Sequence, residues 1–171
     1  MKTNRILLVD AYNVIHRIPA LRRALGKNLL AARTALVRRC ADWMAGRGDF
    51  LKCTLVFDGD SSVMEPGAGG APGVNVVFTR SGETADQRMM AWLQAHQPGM
   101  VYQVVSDDRE VTDCARRERA DVWTVRQFEA MLYRAAGPGL SADDEKPELG
   151  DRDARAITES LRRIWGDGNG Q

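Results

Sequence analysis

The sequence lacks any hydrophobic run that approaches the roughly 18–20 residues needed to cross a lipid bilayer. Before the first acidic residue, Asp10, the N-terminus offers only the apolar residues 6–9, which are too few for the apolar region of a signal peptide. We therefore expect a soluble, unexported, cytoplasmic protein with no membrane partner.

Patterns typical of disulfide frameworks and zinc sites are missing as well. Cys40, Cys53 and Cys114 are far apart and never form a C-x-x-C pair, and the chain has only two histidines. A net charge of +1 provides no global basic field for nucleic acid. Most of the basic residues are nevertheless Arg, the side chain that binds phosphate through a planar fork.

Short apolar runs alternate with segments of helical spacing. Buried strands are predicted at residues 5–9, 53–57, 74–78 and 101–105, with a shorter one at 121–125. Helices are predicted at about residues 27–45 and around the apolar clusters at 89–93, 111–115 and 128–132. This alternation predicts an α/β fold with βαβ crossovers and a mainly parallel central sheet.

The composition also predicts how the chain is divided. Residues 1–137 are expected to form one domain, with a glycine-rich loop at residues 59–73. A second Gly- and Pro-containing stretch predicts a linker at residues 138–150. Residues 151–171 are expected to form a C-terminal helical tail, with apolar side chains on one side.

Acidic residues follow three of the predicted strands. Asp10 ends the run ILLVD, Asp58 follows the second strand, and Asp107 and Asp108 follow the fourth. Because the carboxyl ends of parallel strands share one edge of a sheet, these side chains are expected to converge. Asp86 joins them from a helix, since TADQ (residues 84–87) fits a capping box that places it in a first turn.

Each of these acids has a structural explanation when it is considered alone. Asp is common in turns, and acids in the first turn of a helix interact favourably with the helix dipole. Four clustered carboxylates, however, raise one another's pKa and are tolerated best around a cation. A ligand set of oxygens alone suits Mg²⁺ or Mn²⁺, and such ions support phosphodiester hydrolysis.

Five motifs in order resemble one known family. VDAYNVIH, VFDG, SGETADQRM, VVSDDREV and RADVWTVRQF are similar to the YacP-type NYN domains, a branch of the PIN-like ribonucleases. The resemblance runs from about residue 5 to residue 135. Two departures stand out: Ala11 replaces the glycine that usually precedes the tyrosine, and Asp108 doubles Asp107. Of these two acids, we prefer Asp107 as the one that faces a metal.

The resemblance implies a Rossmann-like three-layer α/β/α sandwich and a metal-dependent endoribonuclease. It assigns the catalytic and metal-binding acids to Asp10, Asp58, Asp86 and Asp107, with Asn13 orienting Asp10 or a bound water. Mg²⁺ or Mn²⁺ is the implied cofactor, and cleavage is expected to leave 5′-phosphate and 3′-hydroxyl ends. RNA is the implied partner, messenger RNA in particular, with association with the ribosome in some relatives.

Substrate contacts and rival functions complete the expectations. The arginines nearest to the acids in sequence are predicted to bind RNA, and they are Arg17, Arg80, Arg88 and Arg109. Each of them is equally consistent with a solvated surface charge. A catalytically silent RNA- or ribosome-binding module of the same fold is the main alternative. A receiver-like signalling domain is disfavoured, because no lysine follows a late strand.

Overall fold

A computed structural model describes residues 4–59, 69–95 and 97–135, and all of them belong to one compact unit. Most of the predicted glycine-rich loop, the linker at residues 138–150 and the tail at residues 151–171 lie outside the described residues. Within the described part of the chain, no helix is both long and apolar enough to cross a membrane.

In the part of the chain that the structure describes, five parallel strands form the central sheet, in the order β3-β2-β1-β4-β5. The strands are β1 (Arg5–Asp10), β2 (Lys52–Phe57), β3 (Val74–Phe78), β4 (Val101–Val105) and β5 (Asp121–Trp123). All five lie where the apolar runs predict them, to within two residues. The mainly parallel α/β fold is therefore confirmed.

Within the described residues, six helices surround the sheet. They are α1 (Ala11–Arg17), α2 (Pro19–Lys27), α3 (Leu29–Met44), α4 (Ala85–Ala95), α5 (Arg109–Arg117) and α6 (Val125–Ala135). The last four match the predicted helices. The first two were not predicted, because α1 begins directly at the end of β1 and the apolar side of the short helix α2 is interrupted by charged residues.

Both faces of the sheet are covered, which gives three layers. Successive side chains of a strand point to opposite faces. Leu7 and Val9 of β1 accordingly pack with α1, α2, α3 and α6, whereas Ile6 and Leu8 pack with α4 and α5. Burial on both faces explains why the strands are apolar without alternation. The predicted three-layer α/β/α sandwich is confirmed.

The strand order reverses next to β1. From β1 the chain builds β2 and β3 on one side, then crosses to β4 and β5 on the other. In open α/β sheets the crevice at the carboxyl ends of the strands on either side of such a reversal is where ligands bind. Here that crevice lies between the end of β1, at Asp10, and the end of β4, which Ser106 follows.

The predicted capping box at the start of α4 is confirmed. The N–H of Gln87 donates to Thr84 Oγ1 at 3.2 Å, and the N–H of Thr84 donates to Gln87 Oε1 at 3.1 Å. This reciprocal pair fixes the first turn of α4, which contains Asp86.

Candidate active site

Asp10 lies at the centre of the crevice and is only 6% exposed. It ends β1 and is also the N-cap of α1, because its Oδ1 accepts a hydrogen bond from the N–H of Asn13 at 3.3 Å. Its Oδ2 accepts a second hydrogen bond, from Ser106 Oγ at 3.4 Å. Asp10 is therefore held by groups from α1 and from the end of β4.

The environment of Asp10 disfavours its charged form. Burial is the largest cause, and together with the charges of Asp86 and Asp58 it raises the pKa of Asp10 to about 7, against the lowering effect of the hydrogen bonds from Asn13 and Ser106. A carboxylate that is buried and repelled by neighbouring acids needs a bound cation or a proton to neutralise its charge.

Asp86 reaches the same crevice from α4. The pKa of Asp86 is raised, most of all by burial and then by the negative charges of Asp108, Asp58 and Glu110. A hydrogen bond with Asp10 lowers it. The structure thus brings Asp10 and Asp86 into direct contact, as expected from their placement at one edge of the sheet.

Asp58 connects the end of β2 to the start of α4. Its Oδ1 accepts a hydrogen bond from the N–H of Ala85 at 2.5 Å, across 27 positions of sequence. The charge on an acid is stabilising at a helix N-terminus. The bond ties Asp58 to the residue that precedes Asp86, and its charge raises the pKa of both Asp86 and Asp10.

The two acids after β4 take different directions. Asp107 faces α1 and α6: its Oδ1 accepts from the N–H of Val125 at 3.0 Å, and its Oδ2 pairs with Arg17 Nε at 3.3 Å. Asp108 is the N-cap of α5, and among the neighbouring charges it is the one that raises the pKa of Asp86 most. These contacts favour Asp108 over Asp107 in the acidic group, the reverse of the preference from sequence.

The backbone register explains this difference. Val9 pairs with Val105, so the residues that follow, Asp10 and Ser106, point to the same face and meet. Asp107, one residue later, points to the opposite face. The sequence shows the alternation but not the register between β1 and β4.

The sequence profile of the YacP-like NYN domain matches residues 7–164 of the chain. The chain belongs to the YacP-like NYN domain family. This is a ribonuclease family, so RNA is the substrate class that membership implies. The resemblance noted in the sequence is therefore confirmed.

Solved structures agree with the fold of this YacP-like NYN domain. A tryptophan-to-leucine mutant of Rae1 (YacP) from Bacillus subtilis matches with a TM-score of 0.63 at 23% identity, covering 94% of this chain and 84% of that one. A second structure of Rae1 (YacP) from Bacillus subtilis matches with a TM-score of 0.61 at 23% identity, covering 93% and 80%. No curated protein matches the chain.

Four arginines were predicted to bind RNA, and two of them have acidic partners within the YacP-like NYN domain. Arg17 pairs with Asp107, although its side chain remains 56% exposed. Arg88 pairs with Glu83 and lies over the ring of Trp92, at 5.8 Å from the centroid. Arg80 and Arg109 are exposed, and neither forms an ion pair within the described residues.

Asn13 contributes an unusual polar group beside Asp10. Its backbone N–H donates to Asp10, but its side-chain Oδ1 is buried and has no hydrogen-bond partner within the described residues. Buried acceptors of this kind are uncommon and need an explanation. The placement of Asn13 beside Asp10 agrees with its predicted role, to orient Asp10 or a bound water, and that role stays a prediction.

An aromatic group beside the acids was not predicted. Tyr12 packs edge-on against Phe57, which stacks on Phe78, with ring centroids 5.3 Å and 5.4 Å apart. The guanidinium of Arg33 lies 5.0–5.7 Å from all three ring centroids, and Arg33 Nε donates to the Tyr12 hydroxyl at 3.1 Å. Arg33, Phe57 and Phe78 line a cavity of about 270 Å³.

A divalent cation such as Mg²⁺ requires oxygen ligands that lie close together. Within residues 4–59, 69–95 and 97–135, no group of three or more His, Cys, Asp or Glu side chains is arranged to hold a metal ion. Two carboxylates in contact, Asp10 and Asp86, nevertheless provide hard oxygen donors, and Asp58 adds a third charge. Their chemistry fits Mg²⁺ or Mn²⁺ rather than zinc.

Proposed function

We propose that the chain is a metal-dependent endoribonuclease that hydrolyses phosphodiester bonds in RNA at the crevice between β1 and β4. The observation that supports this most is the contact between buried Asp10 and Asp86, with Asp58 beside them, in a member of a ribonuclease family. Pure binding of a polyanion has no use for a cluster of negative charge next to phosphate.

The proposal assigns Mg²⁺ or Mn²⁺ to Asp10 and Asp86, with Asp58 or Asp108 as the third acidic neighbour. When bound, such a cation neutralises the carboxylates, polarises the phosphate and stabilises the leaving oxygen. Asp107 is left out of the ligand set, because it points away from Asp10 towards Val125 and its charge is already paired with that of Arg17.

The residues around Asp10 serve to position it. Ser106 Oγ and the N–H of Asn13 fix one carboxylate oxygen each, so the side chain is held before any ligand arrives. In the proposed reaction one water is consumed: its oxygen is added to phosphorus, the bond to the 3′-oxygen breaks, and a proton from the water ends on that oxygen. The products carry 5′-phosphate and 3′-hydroxyl ends.

The finer substrate assignment depends on the family resemblance. Messenger RNA is the proposed target, with association with the ribosome as part of the proposal. The geometry of the crevice supports a phosphodiester as the substrate.

Cleavage of a labelled single-stranded RNA in Mn²⁺ or Mg²⁺ tests the proposal. Wild-type protein is expected to cut the RNA and to lose this activity in EDTA. D10N and D86N are expected to lower kcat/KM by about 100-fold or more, since cation stabilisation supplies several kcal/mol and each 1.36 kcal/mol is tenfold in rate. D113N, which changes an exposed acid on α5, is the matched control. Equal cleavage by D10N and wild type would reject the assignment.

One observation favours a second candidate, a catalytically silent RNA- or ribosome-binding module. It is the absence, within the described residues, of a three-ligand metal group. This candidate predicts RNA binding that does not change on addition of EDTA, together with no cleavage in either metal. The same RNA, assayed for binding by fluorescence anisotropy, separates the two functions.

A further inference from the structure

The chain is nearly neutral overall but contains one long segment without acids. It has 24 Lys and Arg against 23 Asp and Glu, yet residues 11–41 contain no Asp or Glu at all. Seven basic residues lie in this segment: Arg17, Arg22, Arg23, Lys27, Arg33, Arg38 and Arg39. It builds α1, α2 and most of α3.

Helix α2 carries the most exposed part of this charge. Leu21 is fully buried, and Ala24 and Leu25 pack partly against the core, which fixes the inner face of the helix. The charged side chains of α2 are all exposed, and they are Arg22, Arg23 and Lys27. We call these three residues the α2 basic surface. None of them forms an ion pair within the part of the chain that the structure describes.

Helix stability does not explain this arrangement. Arg23 and Lys27 are four residues apart, and like charges at that spacing destabilise a helix. Arg22 lies at the end of the first turn, near the positive end of the helix dipole, where cations are unfavourable. Helix α2 has neither an acid in its first turn nor a side-chain N-cap, whereas α4 and α5 have Asp86 and Glu110 in theirs. Only Lys27, in the last turn, suits the dipole.

The segments on both sides of α2 lie at the carboxyl edge of the sheet. Before it, Arg17 at the end of α1 contacts Asp107, which follows β4. After it, Arg33 in α3 contacts Phe57 and Phe78, at the ends of β2 and β3. Helix α2 connects these two segments, and nine residues of helix span only about 13 Å. The α2 basic surface is therefore close to the edge that holds Asp10.

We propose that the α2 basic surface is a phosphate-binding site for the RNA strand that enters the acidic crevice. The inference rests on the proposed function for its ligand. Phosphate is the complementary partner, because exposed cationic side chains without acidic neighbours can neutralise the phosphates of a polyanion and release the counterions condensed on it. The site binds the RNA backbone without reading its sequence, and it offsets the repulsion that the acids exert on the approaching strand.

Salt-dependent RNA binding tests the site. All variants are made in a D10N background so that the probe, a fluorescein-labelled single-stranded RNA, stays intact. R22Q/R23Q is expected to weaken binding by about tenfold and to reduce the slope of log K against log salt concentration by about 1.4, since each phosphate contact on a single strand contributes about 0.7. R22K/R23K keeps the charge and is expected to restore most of the binding.

The matched control removes two adjacent arginines from another exposed helix. R116Q/R117Q on α5 causes the same change in net charge, and Arg116 there already pairs with Asp113. Equal weakening by R22Q/R23Q and R116Q/R117Q would overturn the site, because only net charge would then matter. Unchanged binding by R22Q/R23Q would also overturn it and would point to another partner, such as an acidic protein.

The two proposals fail separately in this design. Loss of binding in R22Q/R23Q, together with no cleavage by the protein with native Asp10, keeps the phosphate site and rejects the nuclease. If the protein with native Asp10 cleaves RNA, and R22Q/R23Q changes neither KM nor the salt slope of binding, the nuclease is kept and the phosphate site is rejected. If both proposals hold, R22Q/R23Q with native Asp10 raises KM about tenfold and leaves kcat nearly unchanged.

Discussion

Asp10 at the end of β1 and Asp86 in the first turn of α4 lie close enough to share a hydrogen bond. Asp10 is buried, and the charges of Asp86 and Asp58 add to the effect of burial in raising its pKa to about 7. Without a cation, the charged form of Asp10 therefore opposes folding. This has a consequence for stability that is independent of any enzymatic activity.

In EDTA, D10N is expected to be more stable than wild type at pH 8 and about equally stable near pH 4. In the unfolded chain Asp10 loses its proton near its ordinary pKa of 3.8, whereas in the folded protein it keeps the proton up to about pH 7. The wild type therefore loses stability as pH rises from about 4 to 7, by at most about 4 kcal/mol. Asn is as good an N-cap as Asp, so α1 keeps its cap.

Urea denaturation at several pH values measures this difference. D113N serves as the control, since Asp113 is exposed and pairs with Arg116 on its own helix. A D10N variant that is less stable than wild type at pH 8 would show that the buried charge of Asp10 is already neutralised within the protein.

Divalent cations are expected to stabilise the wild type against heat. A cation that binds the folded protein at 100 times its dissociation constant adds about 2.7 kcal/mol, which raises Tm by about 5–10 °C for a domain of this size. D10N and D86N are expected to show little of this shift, and D113N all of it. Differential scanning calorimetry with MgCl₂ or MnCl₂ against EDTA gives the result. A full shift in D10N would place the cation elsewhere.

Asp107 and Asp108 are expected to differ in their effect on cleavage. D108N removes a charge beside Asp86 and is expected to lower kcat/KM by about 10- to 100-fold, a typical effect of changing a supporting group at a metal site. D107N keeps an acceptor for the N–H of Val125 and is expected to retain most of the activity. A larger loss in D107N than in D108N would restore the assignment preferred from sequence.

The hydroxyl of Tyr12 is expected to contribute to stability through Arg33. Y12F removes the acceptor of the hydrogen bond from Arg33 Nε and is expected to lower the free energy of unfolding by about 1 kcal/mol, while the ring contact with Phe57 is kept. Y133F, at an exposed tyrosine, is the control and is expected to change it by less than about 0.5 kcal/mol. Equal unfolding free energies for Y12F and wild type would show that the bond contributes nothing.

Sequence reasoning located most of the sheet because its strands are buried on both faces. Runs such as residues 53–57 and 101–105 are largely apolar, and buried parallel strands of that length need such composition. The capping box at Thr84 was equally visible, since it depends on residues three apart. A second box was overlooked: Thr124 and Gln127 exchange the same pair of hydrogen bonds at the start of α6.

The parts that sequence could not provide depend on contacts between distant segments. In the sequence alone, Asp10 is consistent with either a turn residue or a functional acid. In the structure it ends a strand, caps a helix and lies next to Asp86. The direction of Asp107 depends on the register of β4 against β1, which no local pattern encodes. Helix α2 was missed because its exposed arginines obscure a narrow apolar side.

Asp10 leaves no linker between β1 and α1, and Ile18 alone separates α1 from α2. An RNA strand bound by Arg22 and Arg23 would therefore be held at a fixed position relative to Asp10, because no flexible linker lies between them. The distance between the phosphate bound at α2 and the bond that is cleaved at Asp10 is then constant, because the two short helices α1 and α2 set it.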